Sequence, residues 1–453
     1  MLDVALPTGL KGEPCTDDVS ATGKASQQAA PSDAAVTATQ TFDGLICLGG
    51  EDWWYHNRGH FDFQIMRRLA TRFPVLFVNS LGVRMPSLSD KSVFAARIAR
   101  KLKSFARGLQ QVEPGFWVYS PVTAPGRFTA LSGAALPAQI RLAAARAGIN
   151  KPLLWVHCPA GAGLIGRLRE VGVVMQRTDR FEAFPEADAA VVGAQIAQIK
   201  AAADLVVYAA PHLHDEETGT VAQQVLLTHG VDVERFVAAA DAVKAARAMQ
   251  GVPATTQVSE AGPAARATVS PSDPADMAAI PHPRAGFIGG IDAHTFDPAL
   301  FKRVVARLPH VQFVMVGGCS LPEGWCPGAN VHFLGRKPYD EVAGYMAACD
   351  VLLMPWNRSE WIEGCNPIKL KEYLAVGRPV VTTDFPALDG WRDLVHVATD
   401  AERFAAAIEA ALAGPGPSAA LDRVRPHTWD AKAQTLCDAF EARGWIYGAS
   451  KRR

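Results

Sequence analysis

The sequence is defined first by what it lacks. No apolar run in the 453 residues approaches the ~18 needed to cross a bilayer, which excludes a helical span. The amino-terminal end has Asp3 early and no long apolar stretch, so no secretory leader is expected. Eight cysteines are scattered without a C-x-x-C pair, and Cys319 and Cys326 are the closest two. That spacing argues against a zinc or disulfide framework and for thiols in a reducing, cytoplasmic compartment. Excess charge of either sign is absent too, with 45 basic against 45 acidic residues, so nothing global favours nucleic acid. The first strand is not followed by G-x-G-x-x-G, which disfavours a nicotinamide enzyme. What is present is apolar residue, 49% of the chain, enough for two cores in a chain too long for one.

Residues 1–40 are rich in Ala, Ser, Thr, Asp and Gly without periodicity and read as a disordered tail. A strand–helix–strand rhythm then runs from 41 to 242. Strands are expected at Leu45–Leu48, Val75–Val78, Phe116–Tyr119, Leu153–Val156, Val173–Met175, Leu205–Tyr208 and Val225–Leu227. Helices are expected at 61–71, 91–110, 137–148, 161–170 and 187–203. Pattern is lost over 243–284, which reads as a flexible insert or linker. A second α/β unit spans 285–425, and a closing helix lies within 426–453. The rhythm predicts an α/β fold of two Rossmann-like domains with mainly parallel sheets.

The stretch Glu363–Pro386 carries the strongest local signal. Asn366 suits an N-cap, Pro367 the first helical position, and Gly377 a left-handed stop. Ile368, Leu370, Tyr373 and Leu374 give the short helix an apolar side. Lys369 is a cation in the first turn, where the helix dipole is already positive, so an anion is expected to meet it. Glu372, three residues on, shares its face and could accept hydrogen bonds from a ribose diol. A plain surface ion pair is the alternative. Gly289 and Gly290 end another strand and permit close approach of a phosphate.

The first strand runs into Gly49-Gly50 and the loop EDWWYHNRGH, at the sheet edge where ligands bind. Trp53, Trp54, His56, Arg58 and His60 make an aromatic and polar mix suited to sugar rings; alternatively the tryptophans pack on the core. His157 and Asp179-Arg180 follow other strands at the same edge, as ligand-facing or as structural residues. In 91–110, Phe94, Ile98, Leu102, Phe105 and Leu109 recur at helical spacing beside Arg97, Arg100, Lys101, Lys103 and Arg107. Such a helix can rest on an anionic membrane surface, or its basic face can simply be solvated.

With these pieces assembled, the chain resembles the retaining GT-B glycosyltransferases, in particular the bacterial group containing polysaccharide and teichuronic-acid enzymes. The resemblance covers about residues 42–445. It rests on Asn330–Gly335, Tyr339, Asp350–Pro355, Pro367-Ile368-Lys369, Glu372–Ala375 and Gly377–Val381, with Ala203–Val206, His229–Asp232 and Phe236 nearer the middle. It implies transfer of a sugar from a nucleotide-diphosphate sugar to a saccharide or lipid-linked acceptor. The nucleotide-sugar is then a co-substrate, and no other cofactor is implied. By position, Gly289 and Gly290 would approach the diphosphate, Lys369 would neutralise it, and Glu372 would hold the ribose. Gly335 and the loop after it would line the base, with Asn366, Pro367 and Ile368 completing the nucleotide-sugar site. The acceptor would meet Trp53, Trp54, His56, Arg58, His60 and Arg180, with Asp179 or His157 orienting its hydroxyl. No D-x-D pair occurs, so metal-independent chemistry is expected. Two positions depart from the family: Gly364 stands where a second glutamate is common, and Ile291–His294 lacks the usual Arg and Lys. The competing readings are an epimerase or hydrolase of the same fold, and an inactive nucleotide-binding scaffold.

Overall fold

The computed structural model describes residues 39–56, 58–81, 100, 102–122, 129–183, 188–221, 223–250, 273–414 and 419–449. The first half builds β1 (Gln40–Phe42), β2 (Gly44–Leu48), α1 (Phe61–Leu69), β3 (Val75–Val78), α2 (102–107), β4 (Leu109–Glu113) and β5 (Phe116–Tyr119). It continues with α3 (Thr129–Arg146), β6 (Pro152–Val156), β7 (Gly172–Arg177), α4 (Ala189–Ala202), β8 (Leu205–Tyr208), α5 (Pro211–Glu216) and β9 (Gln224–Leu226). Their sheet runs in the order β4-β5-β3-β2-β6-β7-β8-β9. It is parallel except for β4, which lies antiparallel to β5. The central strands are short apolar runs buried on both faces, as helix-covered parallel strands must be.

Helix α6 (Val233–Gln250) crosses to the second sheet, where Val233, Phe236 and Val243 join its core. That half contains β10 (Arg284–Ile288), α7 (Pro298–Arg307), β11 (Gln312–Val316), β12 (Val331–Gly335), α8 (Val342–Ala347), β13 (Val351–Met354), α9 (Glu360–Gly364) and α10 (Ile368–Val376). It ends with β14 (Val380–Thr382), β15 (His396–Val397), α11 (Ala401–Ala413) and α12 (Ala420–Val424). The parallel order is β12-β11-β10-β13-β14-β15. Finally α13 (Trp429–Ala442) returns to the first half, and β16 (Trp445–Tyr447) pairs with β1. Trp429, Leu436 and Phe440 of α13 sit in the first sheet's core.

Each sheet reverses direction at one place. The chain leaves β2 for β3 on one side and returns to β6 on the other; β10 stands likewise between β11 and β13. Crevices at the carboxyl ends of such strands are where open α/β sheets bind ligands. Gly49-Gly50 and His157 flank the first crevice; Gly289-Gly290 and the segment leading to α10 flank the second.

Several expected boundaries move. Residues 1–38 of the expected tail lie outside the described residues, but Gln40 is already a strand residue paired with Trp445. Of the expected insert, 243–250 is helix and 251–272 lies outside the described residues. Residues 273–284 are anchored: Met277 and Ile280 are buried, and the Arg284 guanidinium bonds Asp273 at 2.7 Å and the Met277 carbonyl at 2.9 Å. Two apolar anchors are too few to give a periodic signal. The expected helix 161–170 is instead a 3-10 turn, Pro159–Leu164, followed by Gly166 and Arg169 at positive φ.

The helix expected at 91–110 also changes. Residues 91–99 and 101 lie outside the described residues; α2 stops at Gly108 (φ 59), and Leu109 belongs to β4. On α2 the buried side chain is Ser104, bonded to Asp52 at 2.9 Å and Ser120 at 2.6 Å, while Leu102 is 59% exposed.

Candidate active site

Helix α10 begins one residue later than its sequence suggests. Pro367 (φ −70, ψ 124) occupies the cap position, no side chain caps it, and Asn366 is therefore not the cap. The stop is as expected, with Gly377 left-handed at φ 72. Lys369 points over the loop after β10: a Cβ on Gly289 would overlap its Cε and Nζ. Its ammonium lies 5.1 Å from the Trp356 ring centroid and 5.6 Å from that of Phe287. Gly317, at φ 150, lets the loop after β11 settle on the Gly289 carbonyl, where any side chain would collide. Gly335 ends β12 and its carbonyl accepts from Gly317 N–H at 2.9 Å. The glycines, Lys369 and the helix start therefore meet at one crevice.

Glu372 is 5% exposed and accepts a 3.1 Å hydrogen bond from the Tyr339 hydroxyl. Burial pushes its carboxyl up to about 7, against the pull of Lys369, Tyr339 and Arg235. Burial likewise lowers the Lys369 ammonium, while Glu372, Cys365 and Asp292 hold it up. The Arg235 guanidinium covers the Tyr339 ring at 4.8 Å. Gly59, from the aromatic loop, lies against the other reach of that ring, where a Cβ would overlap it. The loop of the first sheet thus touches Tyr339, the hydrogen-bond partner of Glu372 in the second. Ile368 makes a further junction, packing on the first sheet's core.

In the first sheet's crevice His157 bonds Asp62 through Nδ1 at 3.1 Å and Thr178 through Nε2 at 3.2 Å. Gly50 N–H donates to Asp62 Oδ2 at 3.3 Å, and Phe63 N–H to Oδ1 at 2.9 Å. Burial alone would neutralise both partners, but their mutual hydrogen bond and charge outweigh it. His157 is held above and Asp62 below its usual range. They form a buried, hydrogen-bonded histidine–carboxylate pair. Asp179, half-buried nearby, is raised by burial, and the charge of His157 opposes the rise. Asp179 and Lys369 both act electrostatically on Cys365, which lies between β13 and α10.

The remaining expected residues are placed differently. Trp53 is a core side chain, 2% exposed, edge-on to Phe63 and Phe116, and so cannot line an acceptor surface. Trp54 lies partly buried beneath the Arg107 guanidinium at 4.5 Å. His56 pairs with Glu51 at 3.0 Å and takes Asp52 N–H on Nδ1, which holds the loop closed. Arg58 covers Trp53 at 4.9 Å, and His60 is the residue before α1, its ring edge-on to Phe63. Arg180 is turned to Glu216. Sequence reasoning missed Asp62, whose signal was the single acid in the first turn of α1. It also missed Arg336, which lies against Gly318, and the bond from Tyr339 to Glu372. Gly364, the departure from the family pattern, has a reason in space: a Cβ there would press on the His212 ring, 2.8 Å from Nε2.

Residues 282–414 match the family described as Glycosyl transferases group 1. The second α/β unit is thus similar to group 1 glycosyl transferases over those residues. A 107-residue stretch is 34% identical to TuaH of Bacillus subtilis (strain 168), assigned by name to teichuronic acid biosynthesis as a glycosyltransferase. That match covers 22% of this chain and 27% of the relative, so it spans about a quarter of the relative's length. Among solved structures, sucrose-phosphate synthase from Thermosynechococcus elongatus is similar at TM-score 0.60 and 16% identity, covering 88% of this chain and 98% of that one. HepE from Anabaena, in complex with UDP and glucose, gives 0.57 and 13%, covering 88% and 100%. Trehalose 6-phosphate synthase from Burkholderia multivorans gives 0.54 and 11%, covering 89% and 99%. At these identities the likeness fixes the architecture, and that architecture is GT-B.

Proposed function

We propose that the protein transfers a sugar from a nucleoside-diphosphate sugar to a saccharide or lipid-linked acceptor, with retention and without a metal. The observation that carries this is Lys369 lying over Gly289, with Glu372 buried one turn along the same helix. A diphosphate in that crevice would meet an ammonium, free N–H groups at a helix start, and backbone that only glycine leaves open. Glu372 would take the ribose hydroxyls, and the loop after Gly335 would line the base. Because the leaving group is a nucleoside diphosphate, the barrier falls chiefly by stabilising charge that grows on the β-phosphate. Lys369 supplies that charge itself. HepE, which shares the architecture, was solved with UDP and with UDP-glucose, which supports a uridine nucleotide as the first donor to try.

His157, held by Asp62, and Asp179 stand on the far side of the same space. They would bind donor and acceptor hydroxyls and orient the acceptor oxygen. The test is turnover: a panel of nucleotide-sugars with lipid-linked and free saccharide acceptors, wild type against Lys369→Ala. Acceptor-dependent release of nucleotide that disappears in the variant supports the reading. Release of free sugar without any acceptor favours a hydrolase or epimerase, and binding with no turnover favours a scaffold.

A further inference from the structure

Helix α10 carries a second lysine that the nucleotide crevice does not use. Lys371 is 4% exposed and points away from Lys369, into the crossing where the chain passes between the two sheets. Its ammonium donates to the His229 carbonyl at 2.6 Å and to Thr228 Oγ1 at 3.3 Å. Lys432, on α13, donates to the same Thr228 hydroxyl at 3.4 Å. Two ammonium groups thus share one neutral oxygen, and among the described residues neither lysine makes an ion pair. The nearby acids are committed elsewhere: Asp232 to Arg235 at 3.1 Å and Arg68 at 3.6 Å, Asp430 to Arg68 at 3.8 Å.

The imidazoles of His229 and His427 border the lysines, and the buried Nδ1 of each has no partner. An ammonium offers three N–H donors, so most of the donor capacity of Lys432 and part of that of Lys371 is unspent. The crowding of cations also shifts the proton affinity of each group. Burial and the charge of Lys432 bring Lys371 down to about 7; burial and both lysines bring His229 to about 3 and His427 to about 4. Like charges gathered in a poorly hydrated place call for a counter-anion.

We propose that Lys371, Lys432, His229 and His427 form a binding site for a phosphate-class oxyanion at the crossing between the two sheets, distinct from the nucleotide crevice. The strands of chain that cross there run side by side, Val231 N–H to the His427 carbonyl at 3.0 Å and Trp429 N–H to the Val231 carbonyl at 3.3 Å. An anion held by one lysine from α10 and one from α13 ties both crossings together. It therefore stabilises the packed arrangement by mass action.

The test compares melting temperatures of the full chain in inorganic phosphate and in chloride at matched ionic strength. Wild type should gain a few degrees in phosphate, and Lys369→Ala, which disables the other candidate phosphate site, should keep that gain. Lys371→Met and Lys432→Gln should each lose it, with Lys371→Met folding at least as well in chloride because it no longer buries a charge. Equal melting of the wild type in both salts overturns the proposal. So does a gain that persists in Lys371→Met and Lys432→Gln, or one that vanishes in Lys369→Ala. Failure here leaves the nucleotide reading standing, since that reading is tested by turnover.

Discussion

The Tyr339 hydroxyl donates to Glu372 Oε1 at 3.1 Å, joining the loop after β12 to the fifth residue of α10. The bond matters because Glu372 sits where burial raises a carboxyl to about 7. A raised folded value means that the group stabilises the fold below its unfolded range near 4.5, and that this contribution is lost as pH rises through about 7. Nucleotide binding has the opposite sense, since the ionised carboxylate is the better acceptor for ribose hydroxyls. Affinity for the nucleotide should therefore rise between pH 6 and 8. Tyr339→Phe should move the midpoint upward, and Glu372→Gln should flatten the profile. Calorimetric titration at several pH values reads all three.

Asp62 should be essential to stability as well as to the site. It is 0% exposed and paired with His157, and replacing one partner strands the other charge in the core. Asp62→Asn should cost about 3 kcal/mol of stability, and His157 should titrate lower in the variant. Urea unfolding gives the first and proton NMR of the imidazole the second. An unchanged histidine titration would show that the pair is not ionic.

Much of this was legible in the sequence. The apolar runs of β2, β3, β5, β6 and β8 gave the sheets, because strands buried on both faces cannot hide their composition. Lys369, Glu372, Gly289 and Gly290 came from turn chemistry and helix-start logic, and His157 and Asp179 from their position after strands. What stayed hidden was set by long-range packing. Nothing local says that Trp53 fills a core while Gly59 meets Tyr339, or that Asp62 finds His157 95 residues away. The strand Leu109–Glu113 was masked by a helical pattern that Gly108 interrupts.

The region between the two halves separates into dispensable and required parts. Removing 251–272, whose composition lacks apolar periodicity, should leave the melting temperature within a degree or two. Removing 273–284 should abolish folding, because it takes Met277, Ile280 and the Arg284–Asp273 pair with it. Soluble expression and thermal melting of the two deletions distinguish them.

Membrane contact through Arg100 and α2 is a proposal that rests on Arg100, Lys103 and the exposed Leu102. Arg107 is excluded from the set because it stacks on Trp54. Each basic residue near an anionic leaflet contributes about 1 kcal/mol. Changing Arg100 and Lys103 to Gln should lower pelleting with anionic vesicles roughly tenfold or more at low salt. Wild-type protein that stays in the supernatant would leave α2 as a structural helix with a solvated face.

The central claim is that Lys369 and Glu372 form a nucleotide-diphosphate site, and equilibrium titration with UDP and other nucleoside diphosphates tests it most directly. Losing one charge-assisted hydrogen bond is worth ~2–3 kcal/mol, so Lys369→Ala and Glu372→Ala should each weaken binding roughly 30- to 150-fold while melting like wild type. Lys369→Ala should lose most with the diphosphate and little with the bare nucleoside. Folded variants that bind every nucleotide as tightly as the wild type would contradict the account.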